Sequence, residues 1–174
     1  MSGENLSFKI RKCNYEELPK VIAINEATLP ENYPTYFYEQ IIEKYPESFM
    51  VAESIDNMGK LVGYIMWRVE RGISSFGIQL VKKGHLVSIA VSDQYRRKGV
   101  ATGLLVESMK NVLGYGVDEF VLEVRVSNQG AIDLYQKRFN FKKARVIEQY
   151  YRDGENAHYM ALKSKNLNLD AIHY

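Results

Sequence analysis

The sequence predicts an α/β fold in which helices cover a mixed sheet. In the second half of the chain, a short apolar strand at residues 85–91 precedes a helical pattern, and a β-branched strand at residues 120–126 precedes another helix. A strand, a helix and a strand in this order favour a parallel pair joined by a right-handed crossover. In the first half, the turn Asp56–Gly59 separates two apolar runs and indicates a hairpin, so antiparallel strands are expected in the same sheet.

The remaining elements follow from periodicity and from turn residues. Residues 6–12 alternate apolar and charged side chains, which predicts a first strand. Asn14 can cap a first helix, and Pro30 and Pro34 must end it because proline cannot continue a helix. A second helix is predicted from about Thr35 to Tyr45. The other predicted strands are residues 48–53, 60–70, 141–149 and 157–163.

Length and composition predict one domain over residues 1–174, with 164–174 as a mobile polar tail. A net charge of +2 gives no strong overall field, so nucleic acid is not an expected partner. The single cysteine, Cys13, can form neither an internal disulfide nor a thiolate metal cage. No apolar run approaches the roughly 18 residues that span a bilayer, so no membrane partner is expected. The sequence therefore predicts a soluble protein of a reducing compartment, the cytoplasm.

Residues 92–102 combine a strand-to-helix turn with clustered positive charge at Arg96, Arg97 and Lys98. A helix N-terminus leaves backbone N–H groups without partners and favours an anion. Gly99 keeps side-chain bulk away from the main chain, so a pyrophosphate could approach it. The alternative is a basic loop with a glycine at an ordinary turn. The segment lacks the Gly-Lys-Ser/Thr ending of a P-loop.

The run Arg96–Ala101 resembles the Arg/Gln-x-x-Gly-x-Gly/Ala element of the GCN5-related N-acetyltransferases. The resemblance implies a mostly antiparallel sheet of about seven strands with a central parallel pair, flanked by about four helices. It also implies that acetyl-coenzyme A is the cosubstrate and that a bulged strand before the turn binds its pantetheine arm. The implied cofactor-binding residues are Ile89, Ala90, Val91, Arg96, Arg97, Lys98, Gly99, Val100, Ala101 and Thr102.

Asn128–Tyr135 is similar to a second element of that superfamily, Asn-x-x-Ala-x-x-Leu-Tyr. The resemblance implies that Asn128 and Tyr135 approach the cofactor, with Tyr135 near its sulfur as the candidate to protonate the leaving thiolate. The alternative for Tyr135 is a helix tyrosine packed in the core. Where the family has a Gly-Phe pair, this chain has Asn140 and Phe141, and asparagine tolerates the same positive φ.

Two further segments resemble the catalytic subunits of archaeal-type, RimI-like protein N-terminal acetyltransferases. Leu29–Tyr33 is similar to their loop between the first two helices, and Tyr150–Met160 is similar to their closing hairpin. Asp153-Gly154 is also simply a favourable hairpin turn. In that family the two loops face each other across a slot that admits a peptide N-terminus. The implied substrate-binding residues are Leu29, Glu31, Tyr33, Tyr150 and Tyr151.

Two polar side chains in predicted strands are the catalytic candidates. A parallel strand covered on both faces should be apolar, so Glu123 needs an explanation, and His85 begins the preceding strand. A salt bridge or a hydrogen-bonded strand-end histidine would explain them structurally. The resemblance implies instead that His85 and Glu123 form the path that accepts the amine proton. Two ligands make a weak metal site, and no required metal is expected.

The resemblance as a whole implies acetyl transfer to protein or peptide N-termini by direct attack in a ternary complex. The ribosome or an auxiliary subunit is a further candidate partner. The alternative reaction is acetylation of lysine side chains, small amines or polyamines with the same cofactor site. A non-enzymatic acetyl-coenzyme A sensor would keep the turn but would not need His85 and Glu123.

Overall fold

The computed structural model describes residues 7–174, so Leu6 of the predicted first strand lies outside the described residues. Four α-helices are formed: α1 (Leu18–Thr28), α2 (Thr35–Lys44), α3 (Val100–Leu113) and α4 (Gln129–Asp133). The seven strands are β1 (Phe8–Lys12), β2 (Met50–Ser54), β3 (Leu61–Ile73), β4 (Leu80–Val91), β5 (Glu119–Arg125), β6 (Lys142–Ile147) and β7 (Ala157–Lys163). Their order in the sheet is β1-β2-β3-β4-β5-β7-β6.

The sheet is mixed, as the sequence predicts. Strands β4 and β5 are parallel, with Lys83 opposite Glu119 and His85 opposite Val121. The pairs β1–β2, β2–β3, β5–β7 and β6–β7 are antiparallel. Helix α3 lies between β4 and β5 in the chain, so the predicted parallel pair and the helix that joins it are confirmed.

Strands β3 and β4 form a long hairpin whose far end is the glycine- and serine-containing segment at residues 71–83, an arrangement that the sequence already allows. The backbone N–H of Ser74 donates to the carbonyl of Gln79 at 2.9 Å and closes the hairpin. The buried carboxylate of Glu119 accepts from the hydroxyl of Ser74 and, at 3.0 Å, from the backbone N–H of Ser75. This support comes from a distant strand, so local sequence could not indicate it.

Proline and polar caps set the helix ends as expected, with two local differences. The chain after Asn14 first forms a 3₁₀ turn at Tyr15–Glu17, and α1 begins at Leu18. The Glu17 carboxylate accepts from the Asn14 backbone N–H at 3.0 Å and fixes this start. Helix α4 continues as a π-helical turn over Leu134–Arg138, where a single helix was predicted. Such turns are frequent at functional sites.

The chain divides into two compact units. The first comprises the residues up to Trp67, Ser88–Asn111 and Tyr174, and its core includes fully buried Tyr64, Ile65, Trp67, Leu104 and Leu105. The second comprises Arg68–Val87 and Val112–His173, and its core includes fully buried Phe120, Leu122 and Met160. The expectation of one domain stays a prediction. Among residues 7–174, no helix has the length and apolar character needed to cross a membrane.

Candidate active site

The second unit contains a part-buried cluster of charged side chains centred on the buried His85. Its Nε2 lies 2.6 Å from a carboxylate oxygen of Glu123, and its Nδ1 lies 2.8 Å from a carboxylate oxygen of Glu70. Arg68 donates from Nε to the other oxygen of Glu70 at 3.0 Å, and its Nη2 lies 3.3 Å from Nδ1 of His85. The structure therefore brings together the two predicted catalytic residues and adds two that the sequence analysis missed.

Burial and charge act in opposite directions on this cluster. Burial of His85 disfavours its imidazolium form, but the hydrogen bonds and charges of Glu123 and Glu70 outweigh burial and raise the pKa of His85 above 6.5. Burial likewise opposes ionisation of Glu70, yet the nearby His85 and Arg68 lower the pKa of this carboxyl below 4.5. The side chain of His85 is only 11% exposed, so these interactions are weakly screened by water. A histidine of this kind is a proton acceptor suited to neutral or slightly alkaline pH.

The sequence does contain a signal for the two missed residues. Arg68 and Glu70 are two positions apart on β3, so their side chains lie on the same face of the strand. They follow the first half of β3, in which every residue is buried. A pair of opposite charges on one strand face indicates a shared polar partner on the neighbouring strand. The register of the long hairpin decides that this partner is His85, and the register was not predictable from the sequence.

The hairpin of β6 and β7 carries the tandem tyrosines predicted to bind substrate. The rings of Tyr150 and Tyr151 pack edge to face, with centroids 5.0 Å apart. The guanidinium of Arg125, at the end of β5, lies over the ring of Tyr151 and donates to Asp153 and Glu155, each at 2.7 Å. Glu155 also accepts from the backbone N–H of Ser127 at 3.0 Å. The ion pairs of Arg125 therefore hold the loop between β6 and β7 against the end of β5.

Asn128 lies at the start of α4, and Tyr135 lies in its π-helical extension. The side chain of Asn128 accepts from the N–H of Ala131 at 3.2 Å and caps the helix. Tyr135 is buried and packs edge to face with Phe141 at 5.9 Å, and burial raises the pKa of its hydroxyl. Core packing accounts for these contacts, so the predicted contacts of both residues with the cofactor stay predictions.

In the first unit, the turn predicted to bind an anion connects β4 to α3, as the strand-to-helix pattern indicated. Arg97 and Gly99 have positive φ values of 61° and 82°, and α3 begins immediately afterwards at Val100. Arg96, Arg97 and Lys98 are exposed, and Arg96 pairs with Asp93 at 3.0 Å. These cations and the first amides of α3 fit a pyrophosphate group.

Two contacts at this turn were not predicted. The main chain of Tyr174 lies 3.4 Å from the position that a Cβ on Gly99 would take, and its ring lies even closer to that position on Gly103. The Tyr174 hydroxyl donates to Glu107 at 3.0 Å. Tyr174 therefore lies against the turn and the first turn of α3. The tail predicted as mobile includes this contact and the buried Leu169.

Strand β4 approaches the turn through Ile89, Ala90 and Val91, which were predicted to face the cofactor. The carbonyl of Ala90 lies only 2.9 Å from the position of a Cβ on Gly63, so this close approach requires glycine on β3. The N–H of Ser92 donates to the carbonyl of Val62 at 2.8 Å. The predicted bulge in β4 stays a prediction. Sequence reasoning missed Gly63, although an isolated glycine inside a strand is a signal of close backbone approach.

The loop between α1 and α2 places its predicted substrate residues at intermediate exposure, namely Leu29, Glu31 and Tyr33. The Tyr33 ring stacks on Phe37 at 5.0 Å and meets Tyr38 edge to face at 6.0 Å. These contacts hold the loop against α2. The expectation that this loop faces the tyrosines of the β6–β7 hairpin stays a prediction.

Within residues 7–174, no group of three or more histidine, cysteine or acidic side chains is arranged to hold a metal ion. The two carboxylates beside His85 lie against different ring nitrogens and do not converge. The expectation that the protein requires no metal stays a prediction.

A basic glycine turn that begins a helix is suited to bind an anion, and a buried histidine between carboxylates is suited to accept a proton. The chain belongs to the acetyltransferase (GNAT) family, whose profile matches residues 18–141.

One similar relative is the N-alpha-acetyltransferase of Saccharolobus solfataricus, which is 50% identical over 157 residues, 88% of this chain and 92% of the relative. Among solved structures, Ard1 from Thermoplasma volcanium is 26% identical, with a TM-score of 0.76 over 90% of this chain and 97% of that one. A chain of the NatB acetyltransferase complex bound to CoA and MES is 26% identical, with a TM-score of 0.75 over 89% and 98%. The predicted family and fold are thereby confirmed.

Proposed function

We propose that this protein is an N-alpha-acetyltransferase that transfers the acetyl group of acetyl-coenzyme A to the α-amino group of protein N-termini. The observation that carries the catalytic part is the 2.6 Å contact between His85 Nε2 and Glu123. The substrate class is supported by the N-alpha-acetyltransferase that is 50% identical over most of both chains.

The cosubstrate is held by the first amides of α3 and the preceding basic turn. Positive φ at Arg97 and Gly99 aims successive backbone groups in directions that an extended chain could not reach. Arg96, Arg97 and Lys98 add positive charge beside these amides. When bound, acetyl-coenzyme A supplies the activated acetyl thioester. Ile89, Ala90 and Val91 provide backbone N–H groups as the candidate donors to the developing oxyanion.

His85 and Glu123 accept the proton that the attacking amine must lose. An α-ammonium group has a pKa near 8, and the carboxylates beside His85 raise the pKa of this base above 6.5, towards that of the amine. Tyr135 is the candidate donor to the leaving thiolate. Its raised pKa means that it carries its proton at neutral pH.

Leu29, Glu31, Tyr33, Tyr150 and Tyr151 bind the first residues of the substrate in this proposal. The support is the anchored hairpin, because Arg125 fixes Tyr151 before any substrate arrives. The NatB structure is of a complex, which makes an auxiliary subunit a candidate partner here, and the ribosome is another. The cytoplasm is the proposed location.

Peptides with free and blocked N-termini test the reaction directly. We expect the purified protein to acetylate a tetrapeptide with a free N-terminus and to leave the same peptide unmodified when its N-terminus is formylated. A second pair with an internal lysine separates the alternative reaction. Equal turnover of the blocked lysine peptide, or of a polyamine, would reject the N-terminal assignment. Products are located by tandem mass spectrometry.

A further inference from the structure

Glu70 interacts with His85 on the side opposite Glu123. The two carboxylates are held on the two ring nitrogens, at 2.8 Å for Glu70 and 2.6 Å for Glu123. The Glu70 side chain is 35% exposed and the His85 side chain is 11% exposed, so Glu70 is the more solvent-exposed residue of the two. The proposed function uses His85 and Glu123 but gives no role to Glu70.

Two carboxylates contact the two nitrogens of the His85 ring, and the charge of the ring decides how many of these contacts have a donor. An ionised carboxylate only accepts hydrogen bonds, so the 2.8 Å contact of Glu70 needs a proton on Nδ1 and the 2.6 Å contact of Glu123 needs one on Nε2. Only the imidazolium form of His85 satisfies both contacts. The Arg68 guanidinium can only donate, but its Nη2 is more distant from Nδ1, at 3.3 Å. Arg68 donates instead to the other oxygen of Glu70 at 3.0 Å and orients the carboxylate.

We propose that Glu70, oriented by Arg68, is a positioning residue that holds the His85 ring through Nδ1 and stabilises its imidazolium form, so that His85 is a stronger acceptor of the amine proton. Glu123 holds the other nitrogen, Nε2, at 2.6 Å, so the protonated ring is stabilised from both sides. The role of Glu70 rests on the proposed function, because His85 must be part of the proton path for the stability of its charged form to matter. A carboxylate that orients a catalytic histidine and stabilises its imidazolium form is a general device in enzymes.

Other charged groups of the second unit share this face of the sheet. On β4, Lys83 lies two residues before His85 and donates to the Tyr159 hydroxyl of β7 at 3.2 Å. On β5, Glu119 lies on the same strand face as Glu123 and is bound by the serines of the β3–β4 turn. These groups have partners of their own. Glu70, Arg68 and Glu123 are the charged groups that directly contact the His85 ring.

The test combines Glu70→Gln, Arg68→Gln and an exposed control, Glu47→Gln. Glutamine at position 70 keeps an oxygen acceptor but removes the negative charge, so the imidazolium form of His85 loses stabilisation. Loss of the Arg68 cation has the opposite effect. Titration of the His85 ring nitrogens by ¹⁵N NMR is readable because the chain has only 3 histidines. We expect the midpoint of the His85 titration to move to lower pH in Glu70→Gln and to higher pH in Arg68→Gln. In the control, Glu47→Gln, it should stay unchanged.

Steady-state kinetics then test whether the contact between Glu70 and His85 affects turnover. For Glu70→Gln we expect kcat to fall about tenfold, the pH profile of kcat to move to lower pH, and KM for peptide and cosubstrate to stay unchanged. Glu70→Asp should recover part of kcat. Unchanged His85 midpoints in both variants would overturn the proposal, and so would shifted midpoints with unaltered kcat. If the wild-type protein acetylates no N-terminus, the proposed function fails, whereas the titration still decides the coupling of Glu70 to His85.

Discussion

The guanidinium carbon of Arg125 lies 4.0 Å from the centre of the Tyr151 ring. The same guanidinium binds Asp153 and Glu155 beyond the tandem tyrosines, so one side chain ties the loop of the β6–β7 hairpin to the end of β5. The Arg125 side chain is 18% exposed, so solvent screens these ion pairs less than exposed ones. The position of Tyr151 is thus set before substrate binds.

Replacing Arg125 with leucine should weaken peptide binding more than chemistry. The loop loses both ion pairs and the cation–π contact, so it has to become ordered when the substrate binds, and this ordering weakens binding. We expect KM for a peptide to rise about tenfold, with kcat within about threefold of wild type. Steady-state kinetics at saturating cosubstrate measure both. Arg152→Leu, an exposed arginine in the same loop, is the matched control, and an equal rise in KM there would contradict the anchoring role.

The proton path predicts a selective loss of turnover. His85→Ala and Glu123→Ala should each lower kcat by about 10²- to 10⁴-fold, the usual contribution of a positioned acid–base group. Affinity for acetyl-coenzyme A, measured by calorimetry, should stay within about twofold of wild type, because the proposed cofactor turn lies at Arg96–Thr102. Wild-type turnover in both variants would remove His85 and Glu123 from the mechanism.

The raised pKa of His85 predicts the position of the pH profile. A base acts in its neutral form, so kcat should rise with pH through the pKa of His85 and reach half its maximum above pH 6.5. Glu123→Gln removes a charge that raises this pKa, so the rising limb should move to lower pH. The measurement is kcat at saturating peptide between about pH 5.5 and 9. A limb that moves to higher pH in this variant would contradict the electrostatics.

Two glycines with nearly equal φ values allow the effect of backbone strain on cosubstrate affinity to be distinguished from the effect of losing an anion site. Gly99 has φ +82° in the basic turn, and Gly59 has φ +81° in the β2–β3 turn. Alanine at either position costs about 1 kcal/mol of strain. Only Gly99→Ala should also raise the dissociation constant for acetyl-coenzyme A, by about tenfold, because its Cβ crowds the amides. Calorimetry with both variants provides the comparison. A comparable loss of affinity in Gly59→Ala would attribute the effect to stability alone.

The ion pair of Glu53 predicts a pH-dependent contribution to stability. Its carboxylate accepts from Arg11 at 2.6 Å and from the N–H of Gly59 at 2.8 Å, and these contacts lower its pKa to about 2. A carboxyl with a lowered pKa stabilises the fold above about pH 4.5, and this contribution disappears as the pH falls towards 2.

Glu53→Gln should therefore reduce the free energy of unfolding at pH 7 by about 1 kcal/mol, a value discounted for solvent screening. Urea denaturation at several pH values measures the difference between variant and wild type. That difference should shrink as the pH falls from about 4.5 towards 2. Glu47→Gln breaks an exposed ion pair with Lys12 and should change stability by much less. A constant difference for Glu53→Gln at all pH values would contradict the assignment.

Those parts of the candidate site that lie in one continuous segment of the chain were predictable from the sequence. The basic glycine turn from Arg96 to Ala101 lies in one segment, so its sequence indicates both its backbone and its charge. His85 and Glu123 were singled out as polar residues in predicted strands, and the family resemblance supplied their role in the proton path, which stays a prediction. Glu70 was missed because its contact with His85 depends on the register of the long β3–β4 hairpin, which local sequence does not indicate. The contact of Tyr174 with Gly99 joins distant parts of the chain and had no local signal.

Local patterns alone determined the mixed sheet, its parallel pair, the helix ends at the prolines and the two polar residues in buried strands. These features depend on periodicity, on backbone angles and on the cost of burying charge, all of which act within a few residues. Only the tertiary structure decided that His85 lies between two carboxylates and that Arg125 fixes Tyr151. Such contacts depend on strand register and on packing between segments far apart in the chain, and many registers are compatible with the same local pattern.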